Sequence, residues 1–374
     1  MNETPKSAQT NALASPSRRR ILEAAGAGVV VATLGGLSPA SAMESSPGPG
    51  QTLRWGIVGT GMIANSMAPR IIAAEGATLA AVSSRRMESA QEFAGKHSVP
   101  HAFDSWQQMI ASDVIDAVYI ATPTSVREEI GVAAANQGKH VLGEKPFANL
   151  PSLQRIVAAC RANAVGFMDG THFPHLHRTQ RIRAGMADLV GQPWSVASAF
   201  QFNLSNPENI RLRPDLEPYG AIGDAGWYNM RAAVEFLPDN VELVAVDAWM
   251  QRGGANGACV TGSGVLRFSD GSTSTWNCGF ISGAGVQDLR VTGRDGVLWI
   301  DDFVGARDEG FVLRRGREEE TFDVALKKHA ATSMFEDFTK MVGDPALFEA
   351  SVRASERTQA WLDAAWASAV ANET

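Results

Sequence analysis

From residue 53 onward, short unbroken apolar runs alternate with stretches of helical period. Leu53-Arg54-Trp55-Gly56-Ile57-Val58 suits a buried strand, and Met67, Ile71 and Ile72 supply the helical spacing that follows it. Residues 78–83 read as the next strand and 87–96 as a polar helix. Asp104 stands where a helix through Trp106 and Ile110 needs its N-cap. A buried strand over 114–121, a helix over 125–136 and a strand over 140–142 continue the alternation. Such a succession predicts a parallel, doubly wound sheet of Rossmann type. Past residue 190 the period becomes that of strands, at 194–202, 241–250, 258–268 and 272–280, with Ser269-Asp270-Gly271 as a hairpin turn. Residues 289–292 and 297–300 flank a turn at Asp295-Gly296, and 311–314 and 321–324 flank Gly316. This second region is expected to be an α+β domain with an open, mostly antiparallel sheet, one face covered by a helix over 223–236. The Ala- and Trp-rich stretch 350–371 reads as a helix returning to the first domain. The fold class is therefore α/β, with a first domain over 53–172 and a second over 173–374.

A chain of 374 residues, 45% hydrophobic and 20% charged, has enough apolar material for two packed domains and excludes disorder. The formal net charge of −7 argues against a general nucleic-acid binder. That charge is uneven. Lys6, Arg18, Arg19 and Arg20 against Glu3 and Glu23 put residues 1–42 at +2, which leaves −9 on the rest of a chain whose total is −7.

The basic segment has the order of an export signal. Arg18-Arg19-Arg20 precedes Ile21-Leu22, a weakly apolar run covers residues 24–37, and Ala40-Ser41-Ala42 offers small residues at a cleavage spacing. The apolar run is about 14 residues, too short for a hydrocarbon core that needs roughly 20, so no stable membrane anchor is expected. The segment resembles a twin-arginine signal, with Glu23 where a lysine is common, and this implies recognition by the Tat machinery and a periplasmic destination. Residues 43–52, rich in Pro, Gly and Ser, read as a linker or arm. The three cysteines, Cys160, Cys259 and Cys278, are widely spaced. They are expected to be buried thiols, with a Cys259–Cys278 bridge as the alternative.

Gly59-Thr60-Gly61-Met62-Ile63-Ala64 follows the first strand as a G-x-G-x-x-A turn. Its glycines allow close approach to a pyrophosphate, and the helix start at Met62 and Ile63 offers free N–H groups and a positive dipole end. After the second strand an acidic residue would take the ribose hydroxyl of NAD. This chain has Ser84-Arg85-Arg86 instead. Hydroxyl and guanidinium groups suit a 2′-phosphate, which favours NADP over NAD. His172, His175 and His177 fall close together, but no Cys or well-spaced carboxylate joins them, so no metal is expected.

The glycine turn, Ala121-Thr122-Pro123 and Glu144-Lys145-Pro146 together make residues 53–374 resemble the glucose–fructose oxidoreductase/inositol dehydrogenase (Gfo/Idh/MocA) family. The resemblance implies cofactor contacts at Thr122, Pro123 and Lys145, with Lys145 beside the nicotinamide and the substrate hydroxyl, and Glu144 either touching the cofactor or holding the lysine. It also implies a cis bond before Pro146. Gly223-Asp224-Ala225-Gly226-Trp227-Tyr228 is similar to the Asp-x-Gly-x-Tyr motif of the dihydrodiol and sugar dehydrogenase branch. On that likeness Tyr228 is the acid/base, and Asp224 binds substrate hydroxyls or holds Lys145. Spacing four apart would put Asp224 and Tyr228 on one helix face. A phenol near pKa 10 is a poor base, and the Lys145 ammonium is expected to favour its phenolate. One departure stands out: the family commonly has a histidine four residues beyond the Ala-Thr-Pro proline, where this chain has Arg127. A homo-oligomer packed through the open sheet also follows from the resemblance.

The sequence thus points to an exported NADP-dependent oxidoreductase of sugars, polyols or related hydroxy or carbonyl compounds, with NADP bound before export and recycled in place. Two rivals are an NAD-dependent glycosidase of the same fold and a non-catalytic NADP-binding sensor. The Ser-Arg-Arg selector argues against the first, and the presence of both Lys145 and Tyr228 against the second.

Overall fold

The computed structural model describes residues 52–305 and 308–373. The signal-like segment, and the linker as far as residue 51, lie outside the described residues.

The first sheet contains β1 (Leu53–Val58), β2 (Ala77–Ser83), β3 (His101–Phe103), β4 (Ala117–Ile120), β5 (His140–Gly143) and β6 (Phe167–Asp169), in the order β3-β2-β1-β4-β5-β6. Every pairing is parallel. The connecting helices are α1 (Met62–Ile72), α2 (Met87–His97), α3 (Trp106–Ala111), α4 (Arg127–Asn136) and α5 (Leu150–Ala162). β4 and β5 are buried at every residue, and β1 at all but Arg54, because helices cover both faces. The strand order reverses between β1 and β4, which opens a crevice at their carboxyl ends. Both Gly59 and Thr122 lie there. β3 and β6 were not read from the sequence, since three residues each carry no usable period. The expected cap of α3 is corrected by one residue: Ser105, not Asp104, is extended and accepts the Gln108 N–H.

After α6 (His177–Ala184) and α7 (Met186–Val190) comes β7 (Pro193–Asn203). Helices α8 (Gly220–Asp224) and α9 (Gly226–Phe236) precede β8 (Leu243–Gly253), β9 (Ala258–Phe268), β10 (Thr273–Gly279), β11 (Ile281–Val286) and β12 (Leu289–Gly293). The last strands are β13 (Val297–Ile300), β14 (Phe311–Arg315) and β15 (Glu318–Phe322). Their order is β15-β14-β13-β12-β7-β10-β9-β8, with β11 beside the end of β7. Only β7 and β10 pair in parallel, so the sheet is mixed but mostly antiparallel, as expected. All eleven residues of α9 are buried between this sheet and the rest of the molecule.

Two helices close the chain, α10 (Ala330–Met341) and α11 (Pro345–Ala371). α10 packs against the first sheet. Ala331, Met334, Phe335 and Phe338 follow helical spacing and share one buried cluster with Trp55, Ile57, Tyr119 and Leu142 of the first sheet. The Trp55 ring meets Phe335 and Phe338 edge-on, with centres 5.1 and 4.9 Å apart. The dinucleotide-type domain is therefore completed by chain from far beyond residue 172. α11, capped by Asp344, is the returning helix expected from 350–371. Its Gln359 and Asp363 accept the backbone N–H groups of Phe147 and Leu150 at 3.0 and 2.7 Å, which tie the loop after β5 to the C-terminal helix. No helix among the described residues is long and apolar enough to cross a membrane.

Candidate active site

The site forms where the loop after β5 meets α8. Glu144 and Lys145 are buried at the carboxyl end of β5, and the Lys145–Pro146 peptide is cis. Gly223 makes the close approach feasible: a Cβ there would lie 2.6 Å from Tyr219 Cβ and 3.2 Å from Pro146 Cγ. Lys145 Nζ donates to the Asp224 carboxylate and to the Asp224 carbonyl, each at 2.8 Å. The same ammonium lies 4.9 Å from the centre of the Tyr228 ring. The two helices are not one continuous helix. Asp224 ends α8, Tyr228 sits in α9, and the Tyr228 N–H turns to the Ala225 carbonyl. Ala225 keeps right-handed helical dihedrals, so Asp224 and Tyr228 still meet the same lysine.

The electrostatics correct the phenolate expectation. Lys145 lies against the ring face and is bonded to Asp224, while the Tyr228 hydroxyl meets His172 Nε2 at 3.3 Å. Burial, then the Glu144 and Asp224 charges, push the Tyr228 phenol well above its ordinary value. It is a neutral phenol in this structure. Burial alone would raise the Asp224 carboxyl, but Lys145 and Arg211 outweigh it and hold that group far below the usual range. Arg211, from a short turn over Ile210–Leu212, reaches the second Asp224 oxygen at 2.7 Å. Asp224 is thus an ionised carboxylate shared by two cations.

Glu144 does not hold the lysine by a hydrogen bond. Its carboxyl accepts from Tyr119 at 2.5 Å, and burial raises its pKa against the pull of Lys145. Arg127, standing where a histidine is common, is a clamp. It donates to the Thr122 carbonyl at 3.0 Å, to Thr124 at 2.8 Å and to the Pro146 carbonyl, and it lies 3.7 Å from Glu217. The loops after β4 and β5 are thereby locked together. The three neighbouring histidines turn to different partners: His172 to Tyr228, His175 to Asp337 at 2.9 Å, and the exposed His177 to Glu309 at 3.5 Å. Burial, His329 and Lys145 lower the His172 pKa to about 3, so its ring is neutral. Cys160, Cys259 and Cys278 are free and buried.

The groove beside β1 fits a dinucleotide. Gly59 has φ +107, and a Cβ would lie 2.9 Å from the Ala121 carbonyl. Gly61 begins α1 without a side-chain cap, and the space where its Cβ would stand is open. Unpartnered first-turn N–H groups with room in front of them are what a pyrophosphate requires. The buried Thr122 hydroxyl at the same crevice also has no partner among the described residues. Ser84 lies 3.4 Å from Thr60 across the glycine turn, and Arg85 and Arg86 are exposed beside it, with Arg86 donating to Ser89 at 2.9 Å.

A separate cavity of about 420 Å³, lined in part by Arg183, Glu235, Asp337 and Arg353, includes neither Lys145 nor Tyr228. Arg183 pairs with Glu235 and Lys340 with Asp337, so most of its charge is already satisfied.

Comparison with known proteins supplies the family. Residues 53–171 match the model described as "Oxidoreductase family, NAD-binding Rossmann fold", and residues 180–299 match the "GFO/IDH/MocA C-terminal domain". The chain belongs to the GFO/IDH/MocA oxidoreductases. Among its GFO/IDH/MocA relatives, scyllo-inositol 2-dehydrogenase (NADP(+)) IolU of Bacillus subtilis is 33% identical over 269 residues, 67% of this chain and 76% of that protein. D-xylose 1-dehydrogenase (NADP(+)) 2 of Haloferax volcanii is 32% identical over 251 residues, 66% and 75% of the two chains. Among solved structures, the 3-ketoreductase KijD10 of Actinomadura kijaniata, in complex with NADP and TDP-benzene, superposes with a TM-score of 0.76. That match has 25% identity and covers 84% of this chain and 97% of KijD10.

Within this GFO/IDH/MocA chain, the sequence singled out Lys145, Asp224 and Tyr228, and the fold brings them together. Arg211 and His172 could not be chosen from sequence. Arg211 lies in an irregular loop without a local motif, and His172 is one of three neighbouring histidines that the sequence does not separate.

Proposed function

We propose that the protein is an exported, NADP-dependent oxidoreductase of sugars or polyols, in which Tyr228 exchanges a proton with the reacting oxygen. The convergence of Lys145, Asp224 and Tyr228 at the carboxyl end of the parallel sheet carries this reading. NADP, when bound, supplies or takes a hydride at its nicotinamide. The α1 N-terminus, Gly59, Gly61 and Thr122 would hold its backbone, and Ser84, Arg85 and Arg86 its 2′-phosphate. The NADP(+) in the names of both relatives supports that selector.

The remaining chemistry belongs to the side chains. As a neutral phenol, Tyr228 is poised to give its proton to a carbonyl oxygen that becomes an alkoxide. Lys145, fixed by the two Asp224 acceptors, places positive charge beside the ring and favours the anion left behind. Asp224, pinned by Arg211, keeps Lys145 from following its own rotamer preferences. The decisive experiment is a screen of sugars, polyols and their keto forms, including scyllo-inositol and D-xylose, by nicotinamide absorbance. A wild-type chain that binds NADP and turns over none of them would overturn the reading.

The double variant Arg85→Ala/Arg86→Ala is expected to weaken NADP binding by roughly tenfold or more and to leave NAD affinity unchanged, measured by calorimetry. Equal losses for both dinucleotides would remove the selector role.

Export and cofactor retention rest on the N-terminal residues. Little NADP is free outside the cytoplasm, so the exported enzyme is expected to carry its own and to alternate an oxidised donor with a reduced acceptor. Mature protein isolated from the periplasm should keep bound nucleotide through dialysis. An empty protein, or cytoplasmic retention unaffected by Arg18→Lys/Arg19→Lys, would refute this part alone. The face of the large sheet away from α9 exposes Trp249 at 50%, beside Ser263 and Asn277, which supports packing against a second copy.

A further inference from the structure

We propose that His172 is held as its Nε2–H tautomer and donates to the Tyr228 oxygen, which aims the phenolic proton at the substrate and steadies the phenolate once it has left. The inference rests on the reading of Tyr228 as the proton-exchanging group and adds a positioning residue to it.

The contact between Tyr228 oxygen and His172 Nε2, 3.3 Å, is compatible with either direction of donation. The other ring nitrogen decides between them. His172 Nδ1 is buried and has no hydrogen-bond partner among the described residues. If Nε2 accepted from the phenol, Nδ1 would carry the ring hydrogen, a buried donor with nothing to receive it. Orphaned buried N–H groups are rare, whereas an acceptor left short of a partner is tolerated more often. The unpartnered atom is therefore the bare nitrogen, and the hydrogen sits on Nε2.

Among the described residues, the groups facing the ring leave no other acceptor. Lys145 presents an ammonium, which can only donate. His175 has its Nδ1 on Asp337. His329, whose ring centre lies 6.4 Å away, uses its own Nδ1 to accept the Ala331 N–H and cap α10. With Nε2–H pointing at the phenolic oxygen, the tyrosine hydrogen must turn elsewhere. The phenol also has no second hydrogen-bond acceptor among the described residues, so its hydrogen is free to face substrate. In the reduction direction the carbonyl carbon gains the hydride, the carbonyl oxygen gains the Tyr228 proton, and the phenolate keeps the His172 hydrogen bond. Oxidation runs the same transfers backward.

Nitrogen-15 NMR of histidine-labelled full-length protein with NADP bound reads the tautomer directly. A protonated Nε2 and bare Nδ1 on His172 are expected; a protonated Nδ1 would overturn the proposal with or without turnover. Kinetics of two variants then test the role on whichever sugar the screen identifies. His172→Leu is expected to lower kcat roughly ten- to a hundredfold with KM little changed, and to move the basic limb of the pH profile upward, because the phenolate has lost its donor. His172→Gln, which keeps an N–H donor, is expected to recover most of the loss. Equal activity in wild type and His172→Leu would sink the role, as would a Gln variant no better than Leu. If instead Tyr228 itself proves dispensable while the tautomer is as stated, the fault lies with the acid/base assignment and not with the hydrogen bond.

Discussion

Tyr228→Phe is expected to lower kcat by about 10²–10⁴-fold while NADP binding and folding persist. The variant removes one oxygen and nothing else. Its ring keeps the contacts with Phe200, Phe173 and the Lys145 ammonium, because none of them uses the hydroxyl. The polar loss is the single contact with His172, at a cost of about 1–3 kcal/mol if Nε2–H is left without an acceptor. That is small against the stability of a chain this size. The catalytic loss is large because no other proton donor stands in the place of the phenol. Lys145 is committed to Asp224, and the Asp224 carboxyl is held ionised by Lys145 and Arg211 despite its burial. Single-turnover reduction of a keto sugar by preloaded NADPH would measure the chemical step alone. Retention of more than about a tenth of the wild-type rate would mean that another group moves the proton.

The second large effect concerns stability. Arg231→Met is expected to destabilise the fold by about 3–5 kcal/mol, measured by denaturant unfolding. Arg231 is almost fully buried in α9, between Asp169 at 2.7 Å and Glu235 at 2.7 Å. Asp169 ends β6 and also accepts from Thr171 and from Ser355 of α11, the latter at 2.5 Å. This network joins the first sheet, the helix carrying Tyr228 and the C-terminal helix. Methionine fills much of the same space but leaves two buried carboxylates without their shared cation. The pH dependence has a definite sign. Burial alone would raise the Asp169 pKa, yet Arg231, Ser355 and Thr171 bring it below the ordinary carboxylate value. The folded pKa is therefore below the unfolded one, near 3.9. The network's contribution is present above the unfolded pKa and is lost as pH falls through the folded one. In Arg231→Met that acid sensitivity should shift upward, because protonating Asp169 becomes favourable. Unchanged unfolding midpoints at neutral pH would show that the pair is dispensable.

The two effects differ in how visible they were beforehand. Lys145 and Tyr228 sit in short motifs at fixed places, after a strand and in a Gly-rich helix start, so the family resemblance picks them out from the sequence. The Asp169–Arg231–Ser355 network joins residues 62 and 186 positions apart and carries no local pattern. α10 escaped for a related reason. Its apolar stripe is helical, but only Trp55 and its neighbours, some 280 positions earlier, give that stripe a place to bury.

The sequence by itself determined the parallel sheet, the glycine turn with its uncapped helix start, the basic residues after β2 and the uneven charge between residues 1–42 and the rest. These depend on neighbours along the chain: burial runs, turn chemistry and dipole ends act over a few residues. Tertiary structure alone decided the state of the reacting groups. The phenol expected to ionise beside a lysine is neutral, because its burial and the Glu144 and Asp224 charges outweigh a cation that reaches only its ring. A pKa responds to what surrounds a group in space, and Glu144, His172 and Arg211 come to Tyr228 from three separate segments of the chain.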